Sequence, residues 1–134
     1  MAVIRVRDAA RLLGVSDDTV RRWIAAGSLT ASGGEGEVTT VDGAELAALA
    51  RERASAPPDT DGVLRSARNR FAGLVTAVTV DGVMAQVTMQ CGPFEVTSLM
   101  SADAARELQL APGSVATAVV KATTVIVETK RDGL

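Results

Sequence analysis

Residues 7–29 read RDAARLLGVSDDTVRRWIAAGSL. Together with Val6 just before them, Ala9, Ala10 and Leu13 recur at i, i+3, i+4 and i+7, the spacing of one face of a short helix. Gly14 follows, a residue that tolerates the positive φ at which helices commonly end. Ser16 then offers an N-cap oxygen, and Asp17 and Asp18 put negative charge at the positive end of the next helix dipole. In that second helix Val20, Trp23 and Ile24 form an apolar stripe, and Gly27 closes it. Arg22 and Asp18 lie nearly opposite the stripe, with Thr19 and Arg21 on its flanks. Two helices joined by a tight turn, the second showing Thr19, Arg21 and Arg22 outward, suit a reader of the DNA major groove. The buried stripe fixes such a helix, and arginine hydrogen-bonds guanine edges or phosphates.

Outward from this stretch, Ser32-Gly33-Gly34-Glu35-Gly36-Glu37-Val38 has the composition of a flexible hairpin tip. Asp42 and Glu45 stand at capping-box spacing before a third helix that carries Leu46, Leu49 and Ala50 on one face. Helix, turn, helix, small hairpin, helix is the order of a winged helix-turn-helix. The run from Val6 to Leu49 resembles the MerR/excisionase-like DNA-binding family, which implies DNA as a partner, with Thr19, Arg21 and Arg22 facing the duplex and Asp18 beside them. Wings of this family usually carry basic residues, whereas this one offers Glu35 and Glu37. A competing reading makes the region a small helical interaction module, with Arg21 and Arg22 on a solvated face.

The composition changes at Ala54-Ser55-Ala56-Pro57-Pro58-Asp59-Thr60-Asp61-Gly62. Two consecutive prolines lack amide donors and push the preceding residue out of the helical region, so a linker is expected over 55–63 between domains at 1–54 and 64–134. Beyond it the chain is rich in Val and Thr. Strands are expected over Phe71–Val80, Val83–Cys91, Phe94–Met100, Val115–Ala122 and Thr124–Thr129, with hairpin signals at Asp81-Gly82 and Gly92-Pro93. Ser101 is placed to cap a short helix over Ala102–Leu108. Five short strands and one helix fit a small OB-like barrel. In Leu74–Val80 both faces are substantially apolar, more than a barrel of this size covers alone, so homo-oligomerisation through the barrel is expected.

Lys121 sits in the otherwise uncharged run Val119–Val125, with no Asp or Glu within six residues on either side. Such a lysine snorkels to water, serves as an edge-strand solubility residue, or meets an anion. Read together, SARNRFAGLVTAV (66–78), DGVMAQVTM (81–89) and SADAARELQLAPGSVATAVVKATTVIV (101–127) resemble the Mop/TOBE (molbindin-like) family of molybdate-binding domains. The resemblance implies an oligomer-interface site for molybdate or tungstate. The Ser66 hydroxyl, the Ala67 and Arg68 amides and the Arg68 side chain would match its first ligand segment, and Lys121 with the Ala122 amide its second. The family often has a hydroxyl residue early in its short helix; this chain has Ala104 there, with Ser101 or Ser98 as the nearby substitute. A tetrahedral dianion has only acceptor oxygens, so donors and positive charge suit it and carboxylates do not.

The 134 residues carry a net charge of −2, and residues 1–56 and 57–134 each hold 7 basic and 8 acidic side chains, so bulk charge draws neither half to nucleic acid. With no His and only Cys91, the chain offers no zinc site, no nucleophile–histidine pair and no internal disulfide. No apolar run approaches the roughly 18–20 residues of a membrane span. The sequence therefore leads to an α+β protein, an N-terminal winged helix-turn-helix followed by a five-stranded OB-like barrel. It is expected to be a cytoplasmic, non-catalytic, molybdate- or tungstate-responsive transcriptional regulator, with DNA, a small oxyanion and further copies of itself as partners. No organic cofactor, no protein ligand bonded directly to a metal and no membrane contact are expected. The other reading is an oxyanion storage or buffering protein whose helical domain mediates protein contacts.

Overall fold

A computed structural model describes residues 2–54 and 66–130. The expected linker at 55–63 lies outside the described residues. Two compact units divide the described residues, the first holding 2–54 together with 128–130 and the second 66–127.

The first unit is ordered β1 (Val3–Arg5), α1 (Val6–Leu13), α2 (Asp17–Ala25), β2 (Ala31–Ser32), β3 (Thr40–Asp42) and α3 (Gly43–Arg53). Its strands form a small antiparallel sheet in the order β1-β3-β2. Local chemistry sets the helix ends where the sequence places them. Gly14 caps α1 in the left-handed region at φ 68°, and the Ser16 hydroxyl accepts the Thr19 amide at 3.1 Å to start α2. The Asp42 carboxylate accepts the Glu45 amide at 3.0 Å to start α3. Glu45 does not return to its own cap. It reaches across to Thr30, accepting the amide at 2.8 Å and the hydroxyl at 3.1 Å, and so ties the segment after α2 to α3. Val6, Ala9, Ala10, Val20, Leu29, Val41, Leu46 and Leu49 form the buried core, with Trp23 and Ile24 packed against it. Full burial of each Val or Leu contributes about 1.5–3 kcal/mol. Arg53 lies over the Trp23 ring, 5.2 Å from its centroid, a second link between α2 and α3.

The second unit is an antiparallel sheet of β4 (Asn69–Asp81), β5 (Met84–Cys91), β6 (Phe94–Ser101) and β7 (Val115–Val120) in the order β6-β5-β4-β7, with α4 (Ala102–Glu107) between β6 and β7. Both hairpin loops have two residues, Gly82-Val83 and Gly92-Pro93, each opening on a glycine at φ 60°. That is the first central position of a type II′ turn, which matches strand twist. The first loop thus sits one residue later than Asp81-Gly82. Val75, Val87, Met89 and Cys91 make the core, lined further by Val78, Val96, Met100, Ala116 and Ala118. Gly73 allows the tightest approach in the sheet: a Cβ there would stand 2.3 Å from the Gln90 carbonyl oxygen and 2.8 Å from Cys91 Sγ.

The fifth expected strand does not pair. β7 ends at Val120, a single 3-10 turn covers Ala122–Thr124, and no strand is assigned over 125–130. The sheet is accordingly four-stranded and open among the described residues. Val125, Ile126 and Val127 remain exposed, the last two by 86% and 87%.

Candidate functional site

Two places collect the candidate residues, one in each unit. In the second unit, β4 and β7 pair antiparallel from Leu74↔Val115 to Asn69↔Val120. Arg68 and Lys121 are the next residues along the chain beyond that last pair. The register therefore leads Ser66–Arg68 and Lys121–Ala122 to the same end of the β4–β7 ladder, although more than fifty residues separate them in sequence. Asn69 fastens the junction by donating from Nδ2 to the Val120 carbonyl at 3.1 Å. Arg68 donates from Nη1 to the Ser66 carbonyl at 3.2 Å, which folds the first segment back on itself. Ser66, Arg68 and Lys121 are exposed and Ala67 is half-buried. Lys121 is not within a strand. It caps the 3-10 turn through its carbonyl, which accepts the Thr124 amide at 3.0 Å and hydroxyl at 2.8 Å, and among the described residues its ammonium has no hydrogen-bond or ion-pair partner.

Ser101 is not brought to this place within one chain. It pairs with Met84, which pairs with Asp81, at the far end of β4 from Asn69. Twelve residues of strand, about 40 Å of chain, lie between. Its hydroxyl accepts the Ala104 amide at 3.0 Å as the cap of α4. Ser98 pairs with Val87 in mid-strand, also away from the Arg68–Lys121 end.

The donor set suits a tetrahedral oxyanion: a hydroxyl, a guanidinium, an ammonium and backbone amides, with no acidic residue in either segment. Among the described residues no group of three or more His, Cys, Asp or Glu side chains is placed to hold a metal ion. An anion that keeps its own oxygens needs none.

In the first unit, α2 carries its polar residues outward in an ordered row. Ser16 Oγ and Thr19 Oγ1 lie 2.9 Å apart, and Arg22 Nη2 donates to Thr19 Oγ1 at 3.1 Å. Thr19 thus holds the Arg22 fork against the helix surface. Asp18, Arg21 and Arg22 line one open hollow with Ser16 and Ala25. Arg21 also lines a second cleft, formed with Arg5, Arg7, Asp17, Glu37 and Thr39. The sequence pattern pointed to the first hollow and missed the second, because Arg7 sits on α1 and Glu37 on the wing.

Comparison with known proteins divides the chain at the same place. Residues 3–54 match the model of a helix-turn-helix domain and residues 65–127 that of the TOBE domain. The molybdenum transport protein ModE of Herbaspirillum seropedicae is 40% identical over 65 residues, 48% of this chain and 24% of that protein, so the chain spans about a quarter of its relative's length. Among solved structures, a molybdate binding protein from Sporomusa ovata is 31% identical with a TM-score of 0.49, covering 50% of this chain and all of its own. MopII from Clostridium pasteurianum is 36% identical with a TM-score of 0.46, covering 49% of this chain and all of its own. The two halves are accordingly a helix-turn-helix domain and a TOBE domain. Among the described residues no helix is long and apolar enough to cross a membrane.

Proposed function

We propose that this chain, which joins a helix-turn-helix domain to a TOBE domain, is a cytoplasmic, non-catalytic DNA-binding transcriptional regulator that responds to molybdate or tungstate. The observation that supports it is the β4–β7 register, whose end at Asn69↔Val120 leads into both Ser66–Arg68 and Lys121–Ala122, in the same chain as an arginine-bearing α2. The Ser66 hydroxyl, the Ala67, Arg68 and Ala122 amides, and the Arg68 and Lys121 side chains would hold the dianion, all as donors. Ser101 belongs to the site only as a residue of another copy. Thr19, Arg21 and Arg22, with Asp18 beside them, would face the duplex, the arginines as base or phosphate ligands. The 40% identity to a protein named for molybdenum transport supports the choice of oxyanion. Exposed Val125–Val127 beside an open sheet supports homo-oligomerisation, with segment 55–63 joining the two domains.

The test is a pair of titrations on the full chain. Calorimetry with molybdate, tungstate and sulfate is expected to show binding of the first two ahead of sulfate. A promoter fragment from the gene's own neighbourhood is expected to shift, with an affinity that changes when molybdate is added. The storage reading is favoured by the acidic wing, Glu35 and Glu37. It requires molybdate binding with no shift of any duplex, and that outcome would replace the regulator.

A further inference from the structure

We infer that the cleft between the start of α1, the start of α2 and the wing is a second contact to the nucleic-acid backbone, in which Arg7 and Arg21 take a phosphate and the Glu37 carboxylate weakens that contact. It rests on the DNA-binding reading of α2, and extends the interface to two residues which that reading does not use.

Three guanidinium groups line this cleft, those of Arg5, Arg7 and Arg21. Arg5 is already engaged, its Nε donating to Asp8 Oδ2 at 2.8 Å. Arg7 and Arg21 are exposed and have no hydrogen bond or ion pair among the described residues. Arg21 also borders the hollow that holds Arg22, so one guanidinium is shared between the outward face of α2 and the cleft at the first turn of α1, with Asp18 in the hollow and Asp17 and Glu37 in the cleft. A helix that reads base edges is flanked by phosphates, and an unengaged arginine fork matches a phosphate's oxygens.

Glu37 opposes them. Its carboxylate accepts the Gly34 amide at 3.0 Å, while its own amide donates to the Gly34 carbonyl at 3.0 Å. The wing turn therefore pins the negative charge to one wall of the cleft instead of leaving it free in solvent. A phosphate entering between Arg7 and Arg21 meets it at close range. Asp17, also in the lining, is fixed at the start of α2 and favoured there by the helix dipole. Glu37 is the acidic group whose charge the domain can lose with its hydrogen bonding intact, because a glutamine carbonyl still accepts from Gly34.

The contact is to backbone, so it is independent of sequence, and the probe is a mixed-sequence duplex of about 30 base pairs followed by fluorescence anisotropy between about 50 and 200 mM salt. Arg7→Gln is expected to weaken binding several-fold and to lower the slope of log K against log salt by about 0.9, the loss of one phosphate. Arg7→Lys keeps the charge and is expected to keep the slope. Glu37→Gln is expected to tighten binding about threefold, on the order of the effect of one unit charge near a phosphate in water, with an unchanged melting midpoint. Wild-type affinity and slope in Arg7→Gln, or no tightening in Glu37→Gln, overturns the inference. If the Arg21→Ala, Arg22→Ala double variant still weakens binding in that case, the DNA-binding reading stands without it. If the wild-type protein binds no duplex at the lowest salt, both fall.

Discussion

Lys121→Met separates the fold's use of this residue from the ligand's. The Lys121 residue is exposed, and its backbone carbonyl is engaged by the Thr124 amide and hydroxyl, while its ammonium has no partner among the described residues. Methionine keeps the length and the apolar stem, so stability measured by urea denaturation is expected to change by no more than about 0.5 kcal/mol. Molybdate affinity is expected to change much more. A hydrogen bond to a charged group contributes roughly 1.5–3 kcal/mol, which corresponds to a loss of about 10- to 150-fold in Kd. The low end applies if the site stays as open as it is in one chain, and the high end if a second copy covers it and excludes water. Ser66→Ala removes a neutral donor from the facing segment and is expected to cost about 1 kcal/mol, or about fivefold. Calorimetric titration of wild type and both variants therefore returns a ranking, Lys121→Met weaker than Ser66→Ala weaker than wild type. Wild-type molybdate affinity in Lys121→Met would refute the placement of the anion at the end of the β4–β7 ladder and return Lys121 to the part of a solubility residue.

Three further perturbations address the remaining claims. The Arg21→Ala, Arg22→Ala double variant is expected to lose duplex affinity at low salt while keeping its circular dichroism and its molybdate isotherm, and unchanged duplex binding would remove α2 from the interface. Gly73→Ala places a methyl group 2.3 Å from the Gln90 carbonyl oxygen and 2.8 Å from Cys91 Sγ, on a strand that cannot retreat without breaking its pairing. It is expected to destabilise the TOBE domain by roughly 1–3 kcal/mol, and an unaltered melting midpoint would contradict the close approach. Ile126→Lys puts charge on a residue 86% exposed in the single chain. Light scattering is expected to show a smaller assembly for it than for wild type, whereas a monomeric wild-type protein would show that no second copy covers residues 125–127.

What the sequence made legible is what nearest neighbours determine. Ser16, Asp42 and Ser101 each cap a helix through an amide three residues on, and Gly14 ends α1 in the left-handed region, all interactions contained in a few residues. The proposed oxyanion segments carry a signal only together, through the family pattern; neither Ser66-Ala67-Arg68 nor Lys121 is distinctive by itself. Features set by tertiary partners were not legible. Alternation and a glycine announce a hairpin near residue 82, but the pairing of Asp81 with Met84 decides which two residues form the loop. Glu45 has capping-box spacing, yet its carboxylate goes to Thr30, fifteen residues away. β-branched Thr124–Thr129 satisfies every local criterion of a strand, and a strand also needs a partner edge, which propensity cannot supply. The Arg7–Arg21–Glu37 cleft draws on three elements and has no signature in any of them.

Two ligands on separate domains constitute a regulator only if their binding free energies are coupled. A dianion held equally well whether or not DNA is bound shifts no equilibrium, however tightly it binds. Coupling requires that the arrangement of the helix-turn-helix domains competent for DNA differ in anion affinity from the arrangement that is not. A site shared between copies would supply such a difference, because it senses how those copies are placed. The coupling is also reciprocal: if molybdate changes operator affinity by some factor, saturating operator must change molybdate affinity by the same factor in the same direction. Calorimetric titration of molybdate into the protein with and without saturating duplex measures that factor directly. Agreement with the anisotropy-derived value is expected. Equal molybdate isotherms with and without DNA would mean that the chain carries two independent binding modules, and the regulatory part of the proposal would then be withdrawn while both binding sites stood.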